Sequence, residues 1–182
     1  MDDLNLILKA LDFAAFKHKY QRRKGDKNLP YINHPIRVAY LISEIGGLDD
    51  PIIIASAILH DIIEDTETDL NELEERFGKK IASIVKEVSD NKLLDKKKRK
   101  ELQIKNASSL SFEATVIRIA DKIANIEDIA SSPPSGWTLE RKLDYLAWAE
   151  KVVSSCNNVN ERLSSYFFEK LSKIKREIIS HK

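Results

Sequence analysis

The chain has 182 residues, 42% of them apolar and 32% charged, with a formal net charge of +1. That length supports one sizeable core and one domain over residues 1–182, and the apolar content excludes a disordered chain. A net charge of +1 says nothing about nucleic acid, and five Gly and five Pro among many Leu, Ile, Ala, Lys and Glu point to helices.

The start, Met1-Asp2-Asp3-Leu4, lacks the basic end and apolar core of a signal peptide. Leu4 to about Tyr20 reads as an amphipathic helix with Leu4, Leu8, Leu11 and Ala15 on its apolar face, and Phe13 and Phe16 nearby. Gln21 to Leu29 is a polar, basic loop. Pro35 suits the first turn of a second helix that runs to about Ile45, buries Ile36, Val38, Ala39, Leu41 and Ile42, and ends at Gly46-Gly47. Asp50 caps a third helix opened by Pro51. Thr68 to Phe77 is short, with Asp69–Glu72 or Thr68–Asn71 as capping pairs and Gly78 as its stop. Lys79 to Val88 follows, then a basic helix from Lys96 to Ala107. Phe112 to about Ala130 is strongly periodic. Thr138 to Ser154 and Val159 to His181 complete an all-α, compact helical bundle. No apolar run reaches transmembrane length, which excludes a membrane-spanning helix. The lone Cys156 excludes an internal disulfide and suits a reducing cytoplasm; it reads as packing or surface.

The third helix carries the most informative feature. Pro51–Leu59 is almost wholly apolar, and His60, Asp61, Glu64 and Asp65 follow within six residues. On the helix, His60 lies over Glu64 and Asp61 over Asp65 in one polar stripe. Three acids at a helix C-terminus oppose the macrodipole, so a solvated helix end explains them less well than a site does. An imidazole beside a carboxylate can ligate a divalent cation, and two carboxylates a turn further on can handle water and protons. Two basic clusters, one from Lys17 to Lys27 and one from Lys92 to Lys100, suit a polyanionic small molecule, although solvated faces are the plainer reading.

Further ligands are few. His18 reads as surface and His181 as solvated. His34 is pinned between Pro30 and Pro35, and spacing leaves a ligand and a helix cap or core hydrogen-bonder as equal readings. Asp121 and Asn125, four apart, interrupt the apolar helix after Phe112. Pairing of Asp121 with Lys122 is disfavoured because adjacent residues do not face each other.

Tyr31-Ile32-Asn33-His34-Pro35, Leu59-His60-Asp61-Ile62-Ile63-Glu64-Asp65-Thr66 and Ile119-Ala120-Asp121-Lys122-Ile123-Ala124-Asn125 resemble the HD phosphohydrolase superfamily. More narrowly they resemble the hydrolase domain of Rel/SpoT proteins. Arg22-Arg23-Lys24, Arg76-Phe77-Gly78 and Gly136-Trp137 match in order and spacing, so the similarity covers nearly the whole chain. The chain has no room for the synthetase and regulatory domains, and it is similar to the stand-alone small alarmone hydrolases.

That resemblance implies one Mn²⁺ held by His34, His60, Asp61 and Asp121. It implies hydrolysis of guanosine tetra- or pentaphosphate to GDP or GTP and pyrophosphate, with Glu64 and Asp65 positioning water and shuttling protons. Arg23, Lys24, Tyr31, Lys96, Asn125, Arg141 and Tyr145 are then the substrate contacts, and Trp137 reads as packing, with an aromatic wall as the alternative. A cytoplasmic small-molecule enzyme without nucleic-acid or membrane partners follows, and nothing in the sequence indicates an oligomer. Two alternatives stand beside it: a nucleotide phosphatase, such as one removing the 2′-phosphate of NADPH, and a non-catalytic nucleotide-binding module. The latter predicts a degraded ligand set, and all six metal and acid-base positions are filled.

Overall fold

A computed structural model describes residues 2–25 and 27–180; His181, at the end of the last expected helix, lies outside them. The helices are α1 (Asp3–Lys17), α2 (Asn33–Tyr40), α3 (Pro51–Leu59), α4 (Ile62–Asp65), α5 (Leu70–Phe77), α6 (Lys79–Val88), α7 (Lys96–Asn106), α8 (Phe112–Ser131), α9 (Leu139–Ser155) and α10 (Glu161–Ser180). Among the described residues the only β-type pairings are two isolated bridges, Arg22 with Pro30 and Gly25 with Pro134. They fold the basic 21–30 loop back against the end of α8. No helix is long and apolar enough to cross a membrane.

Capping chemistry sets many of the boundaries. The Asp50 carboxylate accepts from the Ile52 N–H at 2.8 Å, and Pro51 supplies the pre-set φ of a first helical residue. Asp69 caps α5 through the Glu72 N–H at 2.8 Å, whereas the alternative Thr68 cap does not form and Thr68 is buried. Gly78, at φ +84°, ends α5 in the left-handed region that only glycine enters at little cost. Beyond Tyr40 the second helix widens into a π-helical turn over Leu41–Ile45 before Gly46 and Gly47 stop it.

The core is built around two helices. α8 contributes thirteen buried residues, Ala114–Ala124 with Ile126 and Ile129, and packs against α2, α3, α6, α9 and α10. α3 buries every residue from Ile53 to Leu59 between α1, α2 and α6. Each isoleucine so buried is worth about 1.5–3 kcal/mol of apolar transfer. The face of α1 differs from its expected one. Ala10, Phe13 and Ala14 are buried, while Leu4, Leu8 and Phe16 are exposed, because α1 lies on α3 through its small residues. Ile36 is 43% exposed because α2 turns His34, Pro35, Val38 and Ala39 inward, which leaves Ile36 on the opposite face.

Candidate metal centre and substrate pocket

The apolar helix does not continue through the charged run. α3 ends at Leu59, His60 and Asp61 form a turn, and α4 restarts at Ile62. Asp61 has φ −96° and ψ −1°, the bridge region common at sites. The expected single stripe is therefore broken and redirected. His60 and Asp61 point at α8, Glu64 leans toward the α6–α7 connection, and Asp65 faces the 21–31 segment. Burial of Ile62 anchors the turn from beneath.

Three elements bring the candidate ligands together. α2 presents His34, the turn presents His60 and Asp61, and α8 presents Asp121. One donor atom each from His34, His60 and Asp121 lie within 4.8 Å of one another. The Asp61 Oδ2 is 3.2 Å from His60 Nε2 and 3.7 Å from His34 Nε2. It also accepts from the Tyr31 hydroxyl at 2.6 Å, which draws it to the edge of the cluster.

The side chains are poised by their second contacts. The His60 Nδ1–H donates to the Ala57 carbonyl at 2.7 Å, which directs Nε2 into the cluster, where it is buried without a hydrogen-bond partner among the described residues. Burial pushes the His60 imidazole down, but the Asp61 carboxylate beside it and Asp121 overcome that and raise it to about 9. The metal-free ring therefore holds a proton that a cation would displace. Burial lowers the His34 imidazole, in spite of Asp121 at 3.1 Å. Burial alone would raise the Asp61 and Asp121 carboxyls; His60 holds Asp61 below the usual carboxylate range, and Lys122 with His34 holds Asp121 well below it. Two imidazoles and two ionised carboxylates, with an unsatisfied nitrogen aimed between them, suit one divalent cation.

The Asp121–Lys122 pair disfavoured by spacing does form. Lys122 Nζ reaches back to Asp121 Oδ2 at 2.8 Å because the ammonium is buried and lies 4.6 Å from the Trp148 ring centre, with little other room. The other carboxylate oxygen stays toward the cluster and accepts from Asn125 Nδ2 at 2.6 Å, as their four-residue spacing suggests.

Glu64 and Asp65 diverge. Glu64 Oε1 accepts from the Asp90 N–H at 2.6 Å; burial raises this carboxyl to about 7, against a smaller lowering by that hydrogen bond. Asp65 Oδ2 lies 2.7 Å from the Tyr31 hydroxyl, whose single hydrogen it shares with Asp61, and its Oδ1 pairs with Lys92 at 2.5 Å. Gln21 donates to the Asp65 carbonyl. His18 is not a surface residue: it is 2% exposed, stacks on Tyr31 at 4.8 Å and lies 2.7 Å from the Gln21 amide oxygen.

Two cavities meet at this point. The inner one, about 180 Å³, is lined by the candidate ligands, Glu64, Gln103, Arg118 and Lys122. The outer one, about 340 Å³, is lined by Lys24, Lys96, Trp137 and Tyr145, with Arg22 and Leu29. Arg23, Tyr31, Asp65 and Asn125 belong to both and form the shared wall. The six expected contacts Arg23, Lys24, Tyr31, Lys96, Asn125 and Tyr145 thus converge here, while Arg141 stands at the rim with its guanidinium 4.7 Å over Trp137. Burial, reinforced by the positive charges of Arg141, Lys24 and Arg99, lowers the Lys96 ammonium, a sign that these cations crowd one mouth. Trp137 packs on Tyr145 and also walls the pocket, so both of its expected roles meet there.

Asp128 is absent from the sequence candidates. It receives the Arg23 guanidinium at 2.5 and 3.0 Å, and Asn125 Oδ1 takes a third N–H at 2.8 Å. Its signal is the helical period itself: 121, 125 and 128 recur on one face.

Comparison with known proteins follows the same lines. The HD domain family matches residues 10–146. A Xenopus tropicalis protein named guanosine-3′,5′-bis(diphosphate) 3′-pyrophosphohydrolase MESH1 is 44% identical over 161 residues, 88% of this chain and 90% of its own. The Homo sapiens protein of that name is 42% identical over 157 residues, 86% and 88% of the two chains. A solved structure of a metazoan ortholog of SpoT, described as hydrolysing ppGpp and playing a role in starvation responses, superposes with a TM-score of 0.87 at 40% identity, covering 94% of each chain.

Proposed function

Because this chain belongs to the HD-domain family, beside the MESH1 proteins, we propose that it is a metal-dependent pyrophosphohydrolase removing the 3′-diphosphate of guanosine 3′,5′-bis(diphosphate) or its pentaphosphate form. The observation that carries this reading is the joined pair of cavities: a ligand cluster for a cation inside, and a cation-rimmed, aromatic-walled pocket outside. Such a pair accommodates a phosphate at the inner cluster while a nucleoside with a second phosphate chain lies beyond the shared wall.

We assign His34, His60, Asp61 and Asp121 as holders of one Mn²⁺ per chain, on the mixed nitrogen and oxygen donor set. Such an ion would supply Lewis acidity for water activation and phosphate polarisation. In the reaction a water oxygen bonds to the 3′-phosphorus, the P–O3′ bond breaks, and the departing 3′-oxygen takes a proton. Glu64, balanced near neutrality and fixed by the Asp90 N–H, is suited to move that proton. Asp65, fixed by Tyr31, Lys92 and Gln21, is suited to orient the water. Arg23, oriented by Asp128 and Asn125, and Tyr31 line the passage between the cavities. Lys24, Lys96 and Arg141 meet the 5′-phosphates, and Tyr145 with Trp137 faces the nucleoside. The enzyme acts as one domain over residues 1–182, in the cytoplasm, on a free nucleotide rather than on nucleic acid or membrane.

The test is product identification. Mn²⁺-loaded protein incubated with the tetraphosphate releases GDP and pyrophosphate, and a chelator stops it. Absence of pyrophosphate with metal present overturns the reading.

A further inference from the structure

Arg118 is a buried cation without a counter-ion. It is 8% exposed, and no carboxylate lies within 4.0 Å of it among the described residues. The other arginine and lysine lining the inner cavity are matched: Arg23 by Asp128 and Lys122 by Asp121. Arg118 instead donates from Nη2 to the Val88 carbonyl at 2.8 Å. A guanidinium has five N–H donors, so one bond leaves four. A buried charge is costly unless an opposite charge or several hydrogen bonds meet it.

Its place explains what that charge awaits. Arg118 and Gln103 line the inner cavity and also an adjoining one of about 200 Å³ beneath α7, so they close the far side of the ligand cluster. Asp128, Asn125, Asp121 and Arg118 descend one face of α8 at helical spacing. Asp128 and Asn125 fix Arg23 at the outer pocket, and Asp121 marks the metal cluster. Arg118 stands three residues further, about 4.5 Å along the helix axis. The face reads as a ruler along an extended anion: nucleotide side, reacting phosphorus, then one more negative group.

We propose that Arg118 receives the distal phosphate of the substrate's 3′-diphosphate and holds the pyrophosphate product, so that it selects a diphosphate over a monophosphate ester at the same cluster. This rests on the pyrophosphohydrolase reading above. A guanidinium suits the task because it binds two phosphate oxygens in parallel. Lys122 does not compete, being held by Asp121 and Trp148. A monophosphate ester at the cluster has no second phosphate to place there and gains nothing from Arg118.

The experiment uses the Mn²⁺-loaded wild type and Arg118→Gln. Activity is measured on guanosine 3′,5′-bis(diphosphate) and on guanosine 5′-diphosphate 3′-monophosphate, and binding of inorganic pyrophosphate and inorganic phosphate is measured by calorimetry. Losing a charge-assisted contact lowers kcat/KM for the diphosphate about tenfold or more and weakens pyrophosphate binding to match. Monophosphate turnover and phosphate binding stay within about twofold, inside the scatter of a contact not made. Equal losses on both substrates, or unchanged pyrophosphate binding, overturn the proposal. Should Arg118→Gln not fold by circular dichroism, Arg118→Lys is judged by the same two ratios, since lysine can keep the bond to Val88 but not the paired one. A wild type that releases no pyrophosphate sinks the functional reading instead, and the calorimetric preference for pyrophosphate still judges Arg118.

Discussion

Replacing Glu64 by glutamine in metal-free protein isolates the cost of ionising a buried acid. Glu64 is raised from 4.5 to about 7 by burial, so the folded state binds its proton more tightly than the unfolded chain does. A carboxyl raised on folding contributes stability that is full below about pH 4.5 and is lost as pH climbs through about 7. The gap between 4.5 and about 7, at 1.36 kcal/mol per pH unit, is about 3 kcal/mol; most of it, roughly 2–3 kcal/mol, falls between pH 5 and pH 8. The Glu64→Gln side chain has nothing to titrate, and its amide oxygen can still accept from the Asp90 N–H. Urea melts of both proteins in chelator, at half-unit steps across that range, should therefore diverge. The variant gains on the wild type as pH rises, by roughly 2–3 kcal/mol in unfolding free energy from pH 5 to pH 8. Other titrating groups are shared and cancel. Parallel curves from pH 5 to pH 8 would refute the claim that this acid is strained by burial, and with it the idea that it is balanced for proton transfer.

The same Glu64→Gln variant, and Asp65→Asn, should lose about 10²–10⁴ in kcat while binding Mn²⁺ as before, read by steady-state kinetics and metal analysis; near-full activity in both removes them from the chemistry. Tyr31→Phe deletes the hydroxyl that bridges Asp61 and Asp65, and should cost about 1.5–3 kcal/mol in metal-free stability and lower kcat more than it raises KM. Lys24→Ala should raise KM for the tetraphosphate several-fold and leave KM for a simple phosphomonoester unchanged; equal shifts argue against contact with the extra phosphates. Asp50→Ala removes the α3 cap and should cost about 1 kcal/mol in a urea melt, without moving kcat.

The sequence is most readable where local chemistry alone decides the outcome. Proline after aspartate opens α3, the Asp69 cap opens α5, and glycine closes it, because caps and φ preferences need no tertiary partner. The helical period of α8 places Asp121 and Asn125 on one face and in one hydrogen bond. What escapes depends on packing. Nothing local announces the turn at His60-Asp61, since its residues tolerate a helix and only the meeting with α8 redirects them. The reach of Lys122 to Asp121 requires knowing that Trp148 roofs it. Placing His18 outside ignores that the 21–31 segment folds back over it and stacks Tyr31 on its ring. Leu4, Leu8 and Ile36 count as core by period, yet a helix packed through alanines leaves its larger residues on the rim.

The contacts that build the site span most of the chain: His34 meets Asp121 across 87 residues, and Arg23 meets Asp128 across 105. During synthesis, therefore, a chain that has not yet exposed α8 owns only the His60-Asp61 pair and His34, without the partner that closes the cluster. Such long loops close late and slowly. A half-made chain therefore lacks Asp121, and the cluster closes only once α8 has docked on α2 and α3.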